Sequence, residues 1–352
     1  MSPLTQASEA NPRVALVGLE HGHAEAWLRQ DYGAEIDLVG IYEPDLGVAE
    51  SYRGRHPLEE GLFYTDLEKM LDAVKPDAVW AFTSTLGHER VVEVCGPRGI
   101  DVIVEKPLAV NFESAQRIEA WAKEYGIRVW TSYETSFHQS VLHALEFAKD
   151  TAVLGSVHKV VSHFGHKGPI EIGVPAEFGD WLTDPVLNGG GASADFGCYG
   201  ANLMNAFTEN QRPRSVTAFY RQLKPEVYSK VDDDATIVLE YADGLQAIIQ
   251  ASWNWPYSRK DIQFYGTTGA IHTVDRLNYK TWTRNRRRPQ EASFENTSNV
   301  WIDSIRYFAA VLRGEIEVSD GLASLENNVL VAEIMDAAKV SARSGKPVIL
   351  ED

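Results

Sequence analysis

The first 133 residues alternate short apolar runs with segments of helical pattern. The apolar runs are continuous, as expected for strands that are covered on both faces of a sheet. Strands that are each followed by a helix require right-handed crossover connections, and therefore a parallel sheet. The sequence predicts an α/β domain with a doubly wound parallel sheet, a Rossmann-type domain, over residues 13–134. Its strand-like runs are RVALVGL, IDLVGIY, DAVWAFT, DVIVE and IRVWTSY.

The pattern changes after residue 134. Successive β-type runs follow, and Asp243-Gly244 lies between two of them, which is typical of a β-hairpin. The sequence therefore predicts a second, α+β domain over residues 135–352, with a large, mainly antiparallel open sheet and helices on one face. Residues 1–12 lack a hydrophobic signal core, and we predict that they form a flexible tail.

Charge and cysteine content exclude several classes of partner. The chain has 50 acidic and 33 basic residues, a formal net charge of -17, and no basic stripe offsets this charge. We therefore expect no nucleic acid and no membrane as partners. The two cysteines, Cys95 and Cys198, indicate neither a disulfide framework nor a cysteine zinc site. Together with the lack of any apolar run of membrane-spanning length, this predicts a cytoplasmic protein.

The first strand-to-helix turn reads GLEHGH. In a doubly wound sheet this turn normally carries glycines beneath a pyrophosphate. Glu20 and His23 stand where the second and third glycines of G-x-G-x-x-G would fall. Because a carboxylate repels a pyrophosphate, either the turn uses Gly22 instead or the cofactor binds more weakly than usual. The predicted cofactor contacts in this turn are Gly18, Leu19, Glu20, His21, Gly22 and His23.

The second strand-like run ends on Glu43, near the position whose acid bonds the adenosine ribose of a dinucleotide. An acid at this position repels the 2′-phosphate of NADP, and no arginine follows immediately to receive that phosphate. NAD is therefore the expected cofactor, and NADP is less favoured. The alternative is that Glu43 only begins a turn before Pro44.

Lys106 directly follows the run that ends in DVIVE. In a parallel sheet, this places its ammonium at the crevice that also receives the nucleotide. Pro107 cannot donate a hydrogen bond to a sheet, so it ends the strand and restricts Lys106 to an extended conformation. The alternative for a lysine at such an end is a solvated edge charge.

A second cluster of polar residues lies in NGGGASADFGCYGANLMNAF, residues 188–207. Asp195, Tyr199 and Asn202 recur at i, i+4 and i+7, so they would share one helical face. The glycines around them are poor helix formers and indicate close approach of another backbone or of a ligand. The segment therefore predicts a pocket wall, although an N-terminal acid and a half-buried tyrosine remain an ordinary alternative.

With these motifs, the chain resembles the glucose-fructose oxidoreductase, inositol dehydrogenase and rhizopine-catabolism (Gfo/Idh/MocA) family. The resemblance implies NAD(P) in the crevice, oxidation or reduction of a sugar, polyol or related alcohol, and assembly as a homodimer or homotetramer through the open sheet. It rests on VEKPLA (104–109), GGGASADFGCYGANL (189–203), TSTLGHERVV (83–92), FYGTTGAIHT (264–273) and residues 321–348.

The resemblance also implies roles for single residues. Lys106 would contact the nicotinamide and the reacting oxygen, Asp195 matches the family's aspartate, and Tyr199 stands at a histidine position where a tyrosine serves as acid or base in some members. Further cofactor contacts would be Thr83, His88 and Glu105, and substrate contacts would be His163, His166, Trp181 and, from the helical face above, Asn202.

These residues give a mechanistic hypothesis. Tyrosine has a pKa of about 10, and a nearby ammonium lowers it. Tyr199 would then take the hydroxyl proton, Lys106 would lower its pKa and polarise the oxygen, and Asp195 would orient them. Two alternatives are a dinucleotide- or sugar-sensing regulator and an NAD-dependent glycosidase on the same fold. We expect no metal site, because on a regular strand His163 and His166 would face opposite sides.

Overall fold

A computed structural model describes residues 10–284, 286–296, 300–301, 303–318 and 321–350. Most of the predicted N-terminal tail, residues 1–9, lies outside this described part. Two β-sheets organise the chain, one from each half of the sequence.

The first sheet has six parallel strands in the spatial order β3-β2-β1-β4-β5-β6. This is the strand order of a doubly wound dinucleotide-binding sheet, so the predicted fold of the N-terminal half is confirmed. The strands are β1 (Arg13–Val17), β2 (Asp37–Tyr42), β3 (Phe63–Tyr64), β4 (Ala78–Ala81), β5 (Asp101–Glu105) and β6 (Val129–Ser132).

Five helices connect these strands, and polar side chains begin four of them. His21, Asp45, Asp66 and Asn111 each accept a hydrogen bond from a backbone N–H of the first helical turn, which satisfies a donor that the helix itself leaves free. The helices are α1 (Gly22–Leu28), α2 (Leu46–Arg55), α3 (Leu67–Val74), α4 (Gly87–Cys95) and α5 (Phe112–Tyr125).

The second sheet has nine strands in the order β14-β13-β12-β11-β7-β10-β9-β8-β15. The pair β7 and β10 is parallel, and the other neighbours are antiparallel, so the predicted mainly antiparallel sheet is confirmed. The strands are β7 (Val157–Gly165), β8 (Ser215–Arg221), β9 (Asp234–Glu240), β10 (Gln246–Ser252), β11 (Arg259–Gly266), β12 (Gly269–Thr273), β13 (Asn278–Thr283), β14 (Gln290–Ser293) and β15 (Val348–Ile349).

Helices from the second half cover one face of this sheet. Phe164, Ile237 and Ile249 point from the sheet into a core shared with α6, α10 and α12. The helices of this half are α6 (Gln139–Lys149), α7 (Thr151–Leu154), α8 (Pro169–Ile172), α9 (Ala176–Leu182), α10 (Cys198–Phe207), α11 (Ser304–Leu312) and α12 (Leu325–Ser344). A π-helical segment, Ser193–Gly197, leads directly into α10.

The two halves are joined by more than the chain connection. Phe308 of α11 lies edge-on against Trp80 of β4, with ring centroids 5.2 Å apart, and also contacts Trp130 of β6. The segment after residue 134 thus contributes a helix to the core of the first sheet. Among the described residues, we find no helix with the length and apolarity needed to cross a bilayer.

Candidate active site

Lys106 and Asp195 form a buried ion pair across 89 residues of sequence. Lys106 follows the last residue of β5, and its ammonium contacts the Asp195 carboxylate and donates a second hydrogen bond, of 3.2 Å, to the Asp195 carbonyl. Burial opposes both charges, but their mutual attraction holds the pKa of Lys106 above its ordinary value and that of Asp195 below. The pair is therefore ionised at neutral pH, and the alternative of a solvated lysine at the strand end is wrong.

The π-helical segment presents Asp195 to this pair. The other carboxylate oxygen, Oδ2, accepts a 2.9 Å hydrogen bond from Trp253 Nε1, just beyond β10. Each carboxylate oxygen therefore has its own donor. Short π segments inside helices are frequent at functional sites. Trp253 is not among the residues that the sequence analysis assigned to the site.

The glycines of this segment are explained by packing. A Cβ at Gly191 would lie 1.8 Å from the carbonyl oxygen of Asp232, and one at Gly200 would lie 2.5 Å from Ile249 Cγ2. The predicted close approach of another backbone is confirmed at Gly191, which lies against Asp232. At Gly200 the close neighbour is a side chain of β10.

Tyr199 is buried next to two ammonium groups. Its ring stacks on Phe164 at 5.2 Å, and Lys106 Nζ and Lys260 Nζ each lie 5.4 Å from the ring centroid. Burial, reinforced by the negative charge of Glu134, raises the pKa of the Tyr199 phenol well above 10. The hypothesis that Tyr199 has a lowered pKa is therefore wrong for the structure, because burial and the nearby carboxylates outweigh the two ammonium groups.

Lys260 and Glu134 belong to the same cluster, although the sequence analysis missed them. Lys260, on β11, is ion-paired with Glu134, whose second oxygen lies 3.5 Å from His138 Nε2. Burial would raise the pKa of Glu134, but His138 and Lys260 together hold it well below its ordinary value. Glu134 could have been found from sequence, since it follows β6 much as Lys106 follows β5.

Two adjoining cavities reach this cluster. A cavity of about 480 Å³ is lined by His23, Glu105, Ser132 and Glu134 among others, and one of about 840 Å³ is lined by Glu134, His166 and Lys260 among others. Glu134 and His138 line both. The Lys260–Glu134 ion pair therefore adjoins both cavities through Glu134.

His166 lies near the ion pair. Its ring is edge-on to Phe196 at 5.0 Å, and its Nδ1 accepts a hydrogen bond from Gly168 N. Burial lowers the pKa of His166, although Asp195 opposes the shift. The ring is thus a neutral group at the crevice, consistent with its predicted position on the substrate side.

His163 lies elsewhere. Phe164, which stacks on Tyr199, points into the helix-covered face of β7, so the adjacent His163 points to the opposite face. There its Nδ1 lies 3.2 Å from Asp261 Oδ1. The sheet therefore separates His163 from Tyr199, and the substrate contact predicted for His163 stays a prediction.

Asn202 is also not at the crevice. It is fully buried, and its amide nitrogen donates to the carbonyl of Leu322 at 2.7 Å and to Asn327 Oδ1 at 3.0 Å. It therefore joins α10 to the start of α12. The predicted shared face assumed a regular helix, but the π-helical turn at residues 193–197 changes the spacing between Asp195 and Asn202.

The β1–α1 turn has the geometry of a tight strand-to-helix connection. Gly18 has a φ of +79°, and a Cβ there would lie 2.8 Å from Thr83 Cγ2. Glu43 accepts the Leu19 amide at 2.8 Å through Oε2 and the Asp45 amide at 2.9 Å through Oε1. Glu43 thus connects the β1–α1 turn to the end of β2 by hydrogen bonds. The alternative, that it only begins a turn before Pro44, does not account for its bond to Leu19.

The side chain of Glu20 is held by a backbone donor. Its Oε1 accepts a 2.6 Å hydrogen bond from the Ser84 amide, after β4. Burial raises the pKa of Glu20, and that of Glu43 likewise. The turn thus accommodates an acid in place of the second glycine by bonding it to the neighbouring loop.

Helix α9 covers the same turn. His21, the N-terminal cap of α1, is 2% exposed and packs against Phe178 and Trp181, with ring centroids 4.7 and 5.5 Å away. Trp181 Nε1 also lies 3.4 Å from the carbonyl oxygen of Glu20. The structure therefore places Trp181 with the predicted cofactor residues rather than beside Tyr199.

His88 stabilises the loop that carries Lys106. Its Nδ1 lies 3.1 Å from the Pro107 carbonyl and 3.2 Å from that of Leu108, and both can only accept a hydrogen bond. Burial lowers the pKa of His88 to about 4, so the ring is neutral. His88 thus holds the loop after Lys106, and its predicted contact with the cofactor stays a prediction.

Comparison with known proteins agrees with this architecture. Residues 12–133 match the model described as the oxidoreductase family with an NAD-binding Rossmann fold, and residues 147–272 match the GFO/IDH/MocA C-terminal domain. The chain belongs to the Gfo/Idh/MocA oxidoreductase family.

Curated relatives of this Gfo/Idh/MocA protein are distant dehydrogenases. Trans-1,2-dihydrobenzene-1,2-diol dehydrogenase of Xenopus tropicalis is 25% identical over 218 residues, which cover 61% of this chain and 60% of the relative. D-xylose 1-dehydrogenase (NADP(+)) 2 of Haloferax volcanii is 25% identical over 299 residues, covering 82% of this chain and 85% of the relative. The match thus spans about three fifths of the first relative's length.

Solved structures share the whole fold. An inositol dehydrogenase homolog complexed with NAD+ from Azotobacter vinelandii superimposes with a TM-score of 0.82 at 17% identity, covering 99% of this chain and 100% of that one. A levoglucosan dehydrogenase in complex with NADH and levoglucosan gives a TM-score of 0.82, also at 17% identity, with 97% and 100% coverage. At this identity the likeness establishes the fold alone.

Proposed function

We propose that this Gfo/Idh/MocA protein transfers a hydride between a nicotinamide dinucleotide and a hydroxyl-bearing carbon of a sugar, polyol or related cyclic alcohol. The observation that carries the proposal is the buried Lys106–Asp195 pair beside Tyr199, at the carboxyl end of β5. The preceding residue, Glu105, lines the 480 Å³ cavity. Ligands of doubly wound sheets bind beyond the carboxyl ends of the strands. The dehydrogenase names of the distant relatives agree with this reaction class.

The β1–α1 turn fits a dinucleotide. Gly18 has the positive φ and the close contact with Thr83 that a tight turn below a diphosphate requires. Glu43 lies next to this turn, and each of its carboxylate oxygens retains a lone pair for a ribose hydroxyl. Residues 18–23, Glu43, Thr83, Glu105 and Lys106 would hold the dinucleotide.

The preference for NAD rests on charge. Glu20 and Glu43 are both carboxylates near the turn, and they would repel a 2′-phosphate. Glu43→Gln keeps an oxygen acceptor but removes one charge, so we expect the NAD-over-NADP preference to fall about tenfold. Fluorescence titration with NADH and NADPH measures this, and Glu50→Gln, an exposed acid on α2, is the matched control. An unchanged ratio in Glu43→Gln would argue against this role.

When bound, the nicotinamide accepts or returns a hydride, which is the difficult chemical step. The protein must move the hydroxyl proton. Because its pKa is raised, Tyr199 is a neutral phenol that can donate a proton or hydrogen bond to a carbonyl oxygen during reduction. The Lys106 ammonium stabilises developing negative charge on the same oxygen, and Asp195 and Trp253 hold that ammonium in position.

The cellular setting and assembly are further parts of the proposal. Cys95 and Cys198 are buried and not disulfide-bonded, which fits the reducing cytoplasm. Phe219 on β8 is 61% exposed on the helix-free face of the second sheet, and we expect this face to form a homodimer or homotetramer. Light scattering after gel filtration tests the assembly, and a monomeric mass would refute it.

The substrate class can be tested directly. Aldoses, polyols, inositols and trans-dihydrodiols are incubated with NAD or NADP while the absorbance of the reduced cofactor is followed. We expect turnover with at least one of these classes. Tight dinucleotide binding without any turnover would instead support a sensing regulator.

A further inference from the structure

His21, His23 and Glu105 lie together between the β1–α1 turn and the end of β5. One ligating atom from each side chain lies within 4.8 Å of the other two, and His23 Nδ1 is 2.8 Å from Glu105 Oε2. Glu105 is 4% exposed and His21 is 2% exposed. Two imidazoles and one carboxylate form the ligand set of many three-ligand zinc sites.

We propose that His21, His23 and Glu105 bind a divalent transition metal ion, for which Zn²⁺ is the best match, next to the dinucleotide crevice. The type of ligand atom supports this assignment, because imidazole nitrogens favour Zn²⁺ and other late transition metal ions over Mg²⁺ and Ca²⁺. The cation would replace the direct contact between His23 Nδ1 and Glu105 Oε2.

The geometry requires only a small adjustment. Ligand atoms around a tetrahedral zinc ion are about 3.3 Å apart, so the widest gap must close by up to about 1.5 Å. The side chain of His23 is 40% exposed and can rotate to do so. His21 is held in place by the rings of Phe178 and Trp181. If the ring nitrogen that caps α1 binds the ion, it must give up that hydrogen bond.

The fourth coordination position would face the crevice. His23 and Glu105 both line the 480 Å³ cavity, whereas His21 closes the site from behind. A site with three protein ligands and one position open to a cavity can take an oxygen from a bound molecule. An ion bound here would therefore be accessible to a ligand.

If the proposed function holds, the ion would offset negative charge at the dinucleotide-binding turn. Three carboxylates lie around the turn, those of Glu20, Glu43 and Glu105, and the ammonium of Lys106 is already neutralised by Asp195. These carboxylates would repel a diphosphate that binds to the backbone N–H groups of this turn. A divalent cation would offset this repulsion and offer its open position to a phosphate oxygen.

Metal binding is tested on tag-free, chelator-treated protein without dinucleotide or substrate. Zn²⁺ is titrated by calorimetry, and Co²⁺ is titrated while its visible absorption is recorded. We expect one ion per chain and the Co²⁺ bands of a nitrogen- and oxygen-liganded site. Glu105→Gln and His23→Ala should each weaken binding more than about 100-fold, whereas His158→Ala, an exposed histidine on β7, should not change it.

Circular dichroism shows whether each variant is folded. Equal binding by wild type and both ligand variants, or no saturable binding by wild type, would overturn the proposal. NADH is then titrated with and without Zn²⁺, and we expect tighter binding with the ion in wild type and no difference in His23→Ala. Because the first titrations contain neither cofactor nor substrate, they can fail while the proposed oxidoreductase activity holds.

Discussion

Trp253 donates its indole N–H to Asp195 Oδ2 at 2.9 Å, while Lys106 contacts the other oxygen of the same carboxylate. The two donors, from β5 and from just beyond β10, thus hold one side chain of the π-helical segment from opposite sides. This links both sheets to the position of the ammonium group.

Trp253→Phe should lower kcat by between about 10- and 100-fold, because Asp195 loses a donor and the ammonium it holds can shift. Hydrogen bonds to charged groups contribute about 1.5–3 kcal/mol, so the free energy of unfolding should also fall by an amount in this range. The KM for the dinucleotide should change little. Steady-state kinetics and chemical denaturation measure these effects.

The matched control is Trp255→Phe, since Trp255 lies near His163 on the other face. A larger loss of kcat in Trp255→Phe than in Trp253→Phe would contradict the positioning role of Trp253.

Lys106→Met should destabilise the protein by about 3–5 kcal/mol, because it leaves the buried Asp195 carboxylate without its partner. The double variant Lys106→Met/Asp195→Asn removes both charges and should recover much of this loss, yet remain inactive. Urea unfolding and turnover are measured on the same preparations. If Lys106→Met and Tyr199→Phe both retained wild-type turnover, neither residue would take part in the mechanism.

Because the pKa of Tyr199 is raised, we expect the rates of reduction and oxidation to depend differently on pH. Below its pKa the phenol is protonated, so it can donate a proton at neutral pH and reduction should be nearly independent of pH there. Alcohol oxidation needs the phenolate as base, and its rate should rise about tenfold per pH unit through the neutral range.

The pH profiles of kcat in both directions test this prediction, and Tyr199→Phe should abolish the pH dependence of oxidation. An oxidation rate that reaches a plateau near pH 7 in the wild type would show that another group accepts the proton.

Asn202→Ala should reduce the free energy of unfolding by about 1–3 kcal/mol, because it leaves the buried Asn327 Oδ1 without its donor. It also removes one of the two donors to the Leu322 carbonyl, which keeps its hydrogen bond from Asn328 Nδ2. The KM for substrate should not change, since Asn202 contacts α12 and the residues before it. Thermal unfolding and steady-state kinetics distinguish the two roles. A raised KM with unchanged stability would restore Asn202 as a substrate contact.

The sequence by itself determined the fold and the centre of the candidate site. Continuous apolar runs that alternate with helices are compatible with few architectures other than a doubly wound sheet. Strand ends in such a sheet meet at one edge, so Lys106 could be placed at the crevice from its position after DVIVE alone. Asp195 and Tyr199 were predicted together from their i, i+4 spacing, and the structure places both beside Lys106 although Asp195 lies in the π-helical segment.

Only the tertiary structure decided the environment of these groups. Asn202 is bonded to Leu322 and to the first turn of α12, and His163 faces away from Tyr199 because strand residues alternate between faces. The raised pKa of Tyr199 and the partners Trp253 and Lys260 depend on burial and on contacts between distant segments. Such contacts are set by how two sheets pack, and local sequence does not encode which long-range neighbours a side chain meets.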